Sequence, residues 1–88
     1  MPLPVLFDTA QTYLFEDEDK MVAAGLPLPT IKHVIRLRDA YNFWLSHPSK
    51  LDRDVVERLM AYGNIAKSQA YEDLKIVKAL LGAFQKVS

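Results

Sequence analysis

Apolar residues recur at helical spacing along three stretches of the chain, and nowhere do they alternate for long enough to make a strand. The spacing of Ile31, Val34, Ile35, Leu37, Tyr41, Trp44 and Leu45 predicts a helix over 30–46. Thr30 would cap it, and it should stop near Ser46 because Pro48 follows. A second helix is predicted over 52–62, with Asp52 as its cap and Val55, Val56, Leu59 and Met60 as its apolar stripe. Leu51 and Val56 then fall at the positions of a hydrophobic staple, which would fix the direction of the incoming chain. Gly63 is expected just past the end of that helix, where φ is often positive. A third helix is predicted over 66–84. Ala70, Leu74, Val77, Leu81 and Phe84 step along it by four, three, four and three, leaving Lys67, Gln69, Glu72, Lys75 and Lys78 outward or flanking.

The N-terminal part is less regular. A further helix is predicted from about Asp8, a natural cap, to Ala24, with Gly25 at its stop and "GLPLP" (25–29) beyond it. Tyr13, Leu14, Met21 and Val22 can share a face there, although the acidic run "EDED" (16–19) interrupts it. That run lacks the glycine and the spacing of a calcium loop, so it reads as a solvated helix face. The fold class is therefore all-α, with an acidic N-terminal helical arm over 1–29 and a helical domain over 30–88.

Composition narrows the class. Half of the 88 residues are hydrophobic and a quarter are charged, which is globular and allows one domain. With no cysteine, disulfides and cysteine zinc sites are excluded; His33 and His47 alone cannot close a structural zinc site. No apolar run approaches a membrane span, and "MPLPVLFD" lacks the basic flank and long apolar stretch of a signal peptide. These features predict a cytoplasmic protein with no membrane partner. Net charge is zero but uneven. Residues 1–30 hold five acids against one lysine, and residues 31–88 hold ten cations against six acids, leaving the C-terminal part at +4. That balance is compatible with nucleic acid without requiring it.

The stretch "AYGNIAKSQAYEDL" (61–74) has the parts of a helix-turn-helix. A glycine turns the backbone, an apolar residue plugs the angle between the helices, and a small residue early in the second helix permits close approach. Gly63, Ile65 and Ala70 supply these. The three main helices would then make a tri-helical core with an additional N-terminal helical segment, and the last helix would enter the major groove by its N-terminal end. Its "IAKSQAYEDL" resembles the recognition helix of the deoxyribose-repressor type. Ile65 matches the apolar plug and Asp73-Leu74 the closing pair. The wider pattern "LMAYGNIAKSQAYEDLKIVKALLG" resembles the N-terminal domain of phage terminase small subunits, over roughly residues 30–82. The sequence departs from the motif at Ala66, where a serine cap is usual, at Glu72, where a basic residue is common, and at Asn64, which lengthens the turn.

The resemblance implies binding to double-stranded DNA at a viral packaging site, in the host cytoplasm. It also implies a large ATP-cleaving terminase subunit as partner and a homo-oligomer formed through a region absent from this sequence. In that reading Lys67, Ser68, Gln69 and Tyr71 reach base edges or phosphates, and Gln69 suits adenine. Lys75 and Lys78 would touch phosphates, with Arg36, Arg38, Arg53 and Arg58 extending the footprint. Two alternatives stay open: a helical protein-interaction domain on the same scaffold, and a small transcriptional regulator. Asp73 can equally pair with a nearby cation such as Lys75 or Arg58, and Tyr41, Phe43 and Trp44 read as core rather than as a stacking platform. No nucleophile motif, phosphate-cradling glycine loop or metal-ligand spacing points to catalysis or to a cofactor. His33 reads as a helix-surface residue and His47 as a turn residue.

Overall fold

The helix predicted over 30–46 forms close to its expected bounds, and each of the other helices packs against it. In the computed structural model, which describes residues 3–49 and 51–84, five helices and no strand are present among the described residues. They are α1 (Leu3–Tyr13), α2 (Glu18–Ala23), α3 (Leu28–Ser46), α4 (Asp52–Gly63) and α5 (Lys67–Phe84). Helices α3, α4 and α5 pack against one another pairwise. Helix α1 lies on α3 and α5, and α2 lies on α3. No described helix is long and apolar enough to cross a membrane.

The main core draws on four helices: Ala10 from α1, Leu37, Ala40 and Tyr41 from α3, Val55, Val56 and Leu59 from α4, and Ala70, Leu74, Ile76, Val77 and Leu80 from α5. Leu14, just past α1, completes it. Met21, Ile31 and Val34 form a smaller cluster between α2 and α3. Most of the predicted stripe positions are buried. The stripe on α5 is broader than expected, because Ile76 and Leu80 are buried while Leu81 is half-buried and Phe84 is exposed. Leu45 and Val22 also face solvent.

The N-terminal helix differs most from expectation. It is two helices, the first starting at Leu3 rather than Asp8. Asp8 lies inside α1, where its carbonyl accepts a hydrogen bond from Thr12 Oγ1. The break falls at Leu14–Asp17, where the acidic run begins. Asp17 is the extended residue before α2, and Glu18 and Asp19 occupy the first turn of α2. Acids there meet the positive end of the helix dipole, whereas in mid-helix they would repel one another, so the run starts a helix instead of continuing one. The predicted stop at Gly25 is present, with φ +87°. The N–H of Gly25 donates to the carbonyl of Val22 and that of Leu26 to Met21, and Leu26 packs on the Met21 cluster. These are the bonds and the apolar contact of a glycine-terminated helix.

Three other boundaries shift. Helix α3 begins at Leu28, with Pro27 as the extended residue before it and Pro29 in its first turn, where proline's missing N–H has no intrahelical role. Thr30 is therefore inside the helix and is not its cap. Helix α4 is preceded by Leu51 rather than capped by Asp52, and the Asp54 carboxylate accepts the Leu51 N–H at 3.0 Å. Leu51 is 60 % exposed, so it takes the cap position in place of forming the expected staple. At the end of α4 the left-handed residue is Asn64 (φ 51°, ψ 49°), and Gly63 remains within the helix. Asparagine tolerates that conformation because its short polar side chain adds little steric cost. His47 is the turn residue expected, closing α3 with its Nδ1–H on the Phe43 carbonyl.

Candidate nucleic-acid interface

The three residues Asn64–Ala66 separate α4 from α5 and set where the first turn of α5 emerges. Ile65 is half-buried and packs on the main core, and Ala70 is fully buried one turn later. Those two contacts hold α5 by its inner face. Lys67, Ser68, Gln69 and Tyr71 are left exposed around its start.

Beneath that exposed turn lies a polar cluster centred on Asp73. Asp73 is completely buried. Its Oδ1 accepts from His33 Nε2 at 2.7 Å and from Gln69 Nε2 at 3.0 Å, and its Oδ2 accepts from Arg36 Nε at 2.7 Å. The carboxylate thus ties two positions of α3 to the first turns of α5. Burial by itself would push the Asp73 carboxyl up. The hydrogen bonds from His33 and Arg36, with their charges, more than offset it and hold the group below the usual carboxylate range.

This corrects two expectations. The partners of Asp73 are Arg36 and His33 from α3, not Lys75 or Arg58, and His33 is a buried-network donor rather than a free surface residue. Arg58 instead makes a two-point contact with Asp39, Nε to Oδ2 at 2.8 Å and a terminal nitrogen to Oδ1 at 3.0 Å, and lies over the Phe43 ring. A guanidinium needs a planar carboxylate facing it, and Asp39 offers one across the α3–α4 contact.

Gly63 belongs to the same cluster. A Cβ placed on it would overlap Arg36 Cδ, so the glycine gives the Arg36 side chain its path across the end of α4 to Asp73. The sequence marks this glycine for a turn, and the structure uses it for a close approach.

The predicted site residues divide into three groups. Lys67, Ser68 and Tyr71 are exposed at the start of α5, as expected. Gln69 is also exposed, but its amide nitrogen is engaged by Asp73. Lys75 and Lys78 are exposed yet paired, Lys75 with Glu72 at 3.3 Å and Lys78 with Asp52 at 2.7 Å. Such exposed pairs contribute little to stability but partly cancel the positive field a phosphate would meet. Among the cations expected to extend the footprint, Arg36 turns inward to Asp73 and Arg38 donates to the Glu16 carbonyl at 3.0 Å, while Arg53 is exposed.

A pH prediction follows from Asp73. Its folded carboxyl titrates below the ordinary aspartate value, so folding favours the ionised form. The stabilisation is present in full above about pH 4, where the unfolded side chain is ionised. It is lost progressively as the pH falls further, through the still lower folded value. Denaturant midpoints measured downward from about pH 6 should fall on the acid side of about pH 4, and the fall should be shallower in Asp73→Asn. Equal acid limbs for the two proteins would contradict this account of the cluster.

The described residues contain no group of three or more metal-ligating side chains. What the fold defines is an all-helical domain with a polar cluster under the start of its last helix. Comparisons of the chain with protein-family models, with curated proteins and with solved structures found no match.

Proposed function

We propose that this chain is a helix-turn-helix domain that binds double-stranded DNA through the first turn of α5, in the setting of a phage DNA-packaging small subunit. The observation that supports the reading best is the α4–turn–α5 arrangement. The inner face of α5 is buried through Ala70, Asp73, Leu74 and Val77, while Lys67, Ser68 and Tyr71 stand exposed at its N-terminal end. That end of a helix suits phosphate and base edges, because its N–H groups and the dipole favour negative charge. The packaging role rests on the sequence resemblance over residues 30–82, and with it the large terminase subunit as a partner.

With Lys75 and Lys78 paired internally, the duplex contact narrows to the α5 start, and a single copy should bind weakly. Useful affinity then comes from several linked copies, which a homo-oligomer supplies. Lys67→Glu combined with Ser68→Ala alters only exposed positions. Duplex affinity in a low-salt fluorescence-anisotropy titration should drop by at least about tenfold, since the change removes a phosphate contact and adds a repulsion. Unchanged affinity would show that this helix is not the contact.

A second reading, a protein-interaction module, has its own observation. The rings of Phe15, Tyr41 and Phe84 meet edge to face, with centroids 5.4–5.9 Å apart, and Phe15 and Phe84 are 58 % and 37 % exposed. Partly exposed aromatic rings in contact with one another are frequent at protein interfaces.

A further inference from the structure

We infer that the recess bounded by Lys32, Ile35, Arg36, Tyr62 and Gly63 is a phosphate site; in the DNA reading above, on which its biological occupant rests, it holds a backbone phosphate of the bound duplex. The recess encloses about 280 Å³ between α3 and the end of α4, ample for a phosphate group. It opens four residues before Lys67, next to the turn that leads into α5.

Its chemistry suits an anion. The Nε of Arg36 is committed to Asp73, and the contacts Arg36 makes among the described residues run through that nitrogen, not through the terminal ones. The buried carboxylate thus fixes the guanidinium at one edge and leaves the opposite edge to be used. A guanidinium held in place binds phosphate at a smaller entropic cost than a free side chain. Lys32 is exposed and has no ion-pair partner among the described residues, unlike Lys75 and Lys78. Lys32 and Arg36 stand against the one carboxylate of Asp73, an excess of one positive charge before His33 is counted. Tyr62 and Gly63 complete the lining, and the glycine leaves room for the Arg36 side chain to cross it. Lys32 and Arg36 therefore take the phosphate-contacting role that the sequence assigns to Lys75 and Lys78.

The test uses the full ¹⁵N-labelled chain and two probes, inorganic pyrophosphate and a duplex of about two helical turns. Pyrophosphate should shift the Tyr62 and Gly63 amides and the Arg36 Nε–Hε signal, and the duplex should shift the same signals together with residues 67–71. Lys32→Ala, at an exposed position, should keep the helical circular dichroism. It should weaken pyrophosphate about tenfold and lower the log–log salt slope of duplex binding by about one. Pyrophosphate that leaves those signals unmoved, or Lys32→Ala that binds both probes as the parent does, overturns the site. Duplex shifts confined to 67–71 also overturn it while leaving the DNA reading intact. Pyrophosphate binding at the recess without any duplex binding supports the site and removes the DNA reading.

Discussion

Asp73→Ala should be the most damaging single substitution at a polar position, costing about 2–4 kcal/mol in equilibrium denaturation. Breaking a fully buried ion pair costs about 3–5 kcal/mol, because the remaining charge is left without a partner. Here part of that is recovered, since the His33 and Arg36 side chains retain 19 % and 14 % of their exposure and can reach water. Domains are stable by only about 0.05–0.15 kcal/mol per residue, so for a chain of this size the loss is a large fraction of the total. Asp73→Asn keeps the shape and one acceptor oxygen but loses the charge, and should fall between the parent and the alanine variant. A loss under about 1 kcal/mol for Asp73→Ala would mean that the network carries little energy, as exposed pairs do.

The second large effect is a steric one with a specific rescue. Gly63→Ala puts a methyl group where Arg36 Cδ lies. Arg36 cannot swing aside freely, because its Nε is bonded to Asp73 at 2.7 Å. Either the guanidinium leaves the carboxylate or the helix end shifts, and overpacking of this kind costs about 1–3 kcal/mol. In an Arg36→Ala background the obstacle is gone. The same Gly63→Ala change should then be neutral or stabilising by up to about 1 kcal/mol, since alanine is the better helix former. A double-mutant cycle from urea midpoints reads the difference. Equal costs in both backgrounds would show that Gly63 is needed for its backbone conformation and not for the space it leaves.

The regular part of the fold was legible because packing and periodicity agree there. Ile31, Val34, Leu37 and Tyr41 on α3 and Val55, Val56 and Leu59 on α4 are buried where helical spacing places them. The break between α1 and α2 was harder to read. A helix-length stretch with a charged run in the middle can be one helix or two, and only the dipole preference of Glu18 and Asp19 for a first turn decides it.

The candidate site was legible only in outline. Lys67 and Gln69 could be placed on the outer face of α5 from the stripe alone. The Asp73 network could not, because its charged partners on α3 lie 40 and 37 residues away in sequence. One signal was present: Asp73 falls at helical spacing from Ala70, Val77 and Leu80, so a carboxylate sits on the buried stripe and must find donors from another helix. Arg36 and His33, three apart on one face of α3, are the donors it finds. The same reasoning explains why Lys75 and Lys78 read as phosphate contacts. Their exposure was correctly inferred, but Asp52 lies 26 residues from Lys78, and sequence spacing gives no sign that they meet.

The most direct test of the proposed DNA contact is a salt titration of duplex binding, with the chain measured alone and as a tethered dimer. Binding should appear at low salt, and the dimer should bind more tightly. Log affinity should fall linearly with log salt, with a slope of about −2 to −3 per copy, as for two or three neutralised phosphates at the α5 start and the adjoining recess. A tethered dimer that fails to bind duplex DNA at low salt, or binds it with no dependence on salt, would contradict the proposed contact.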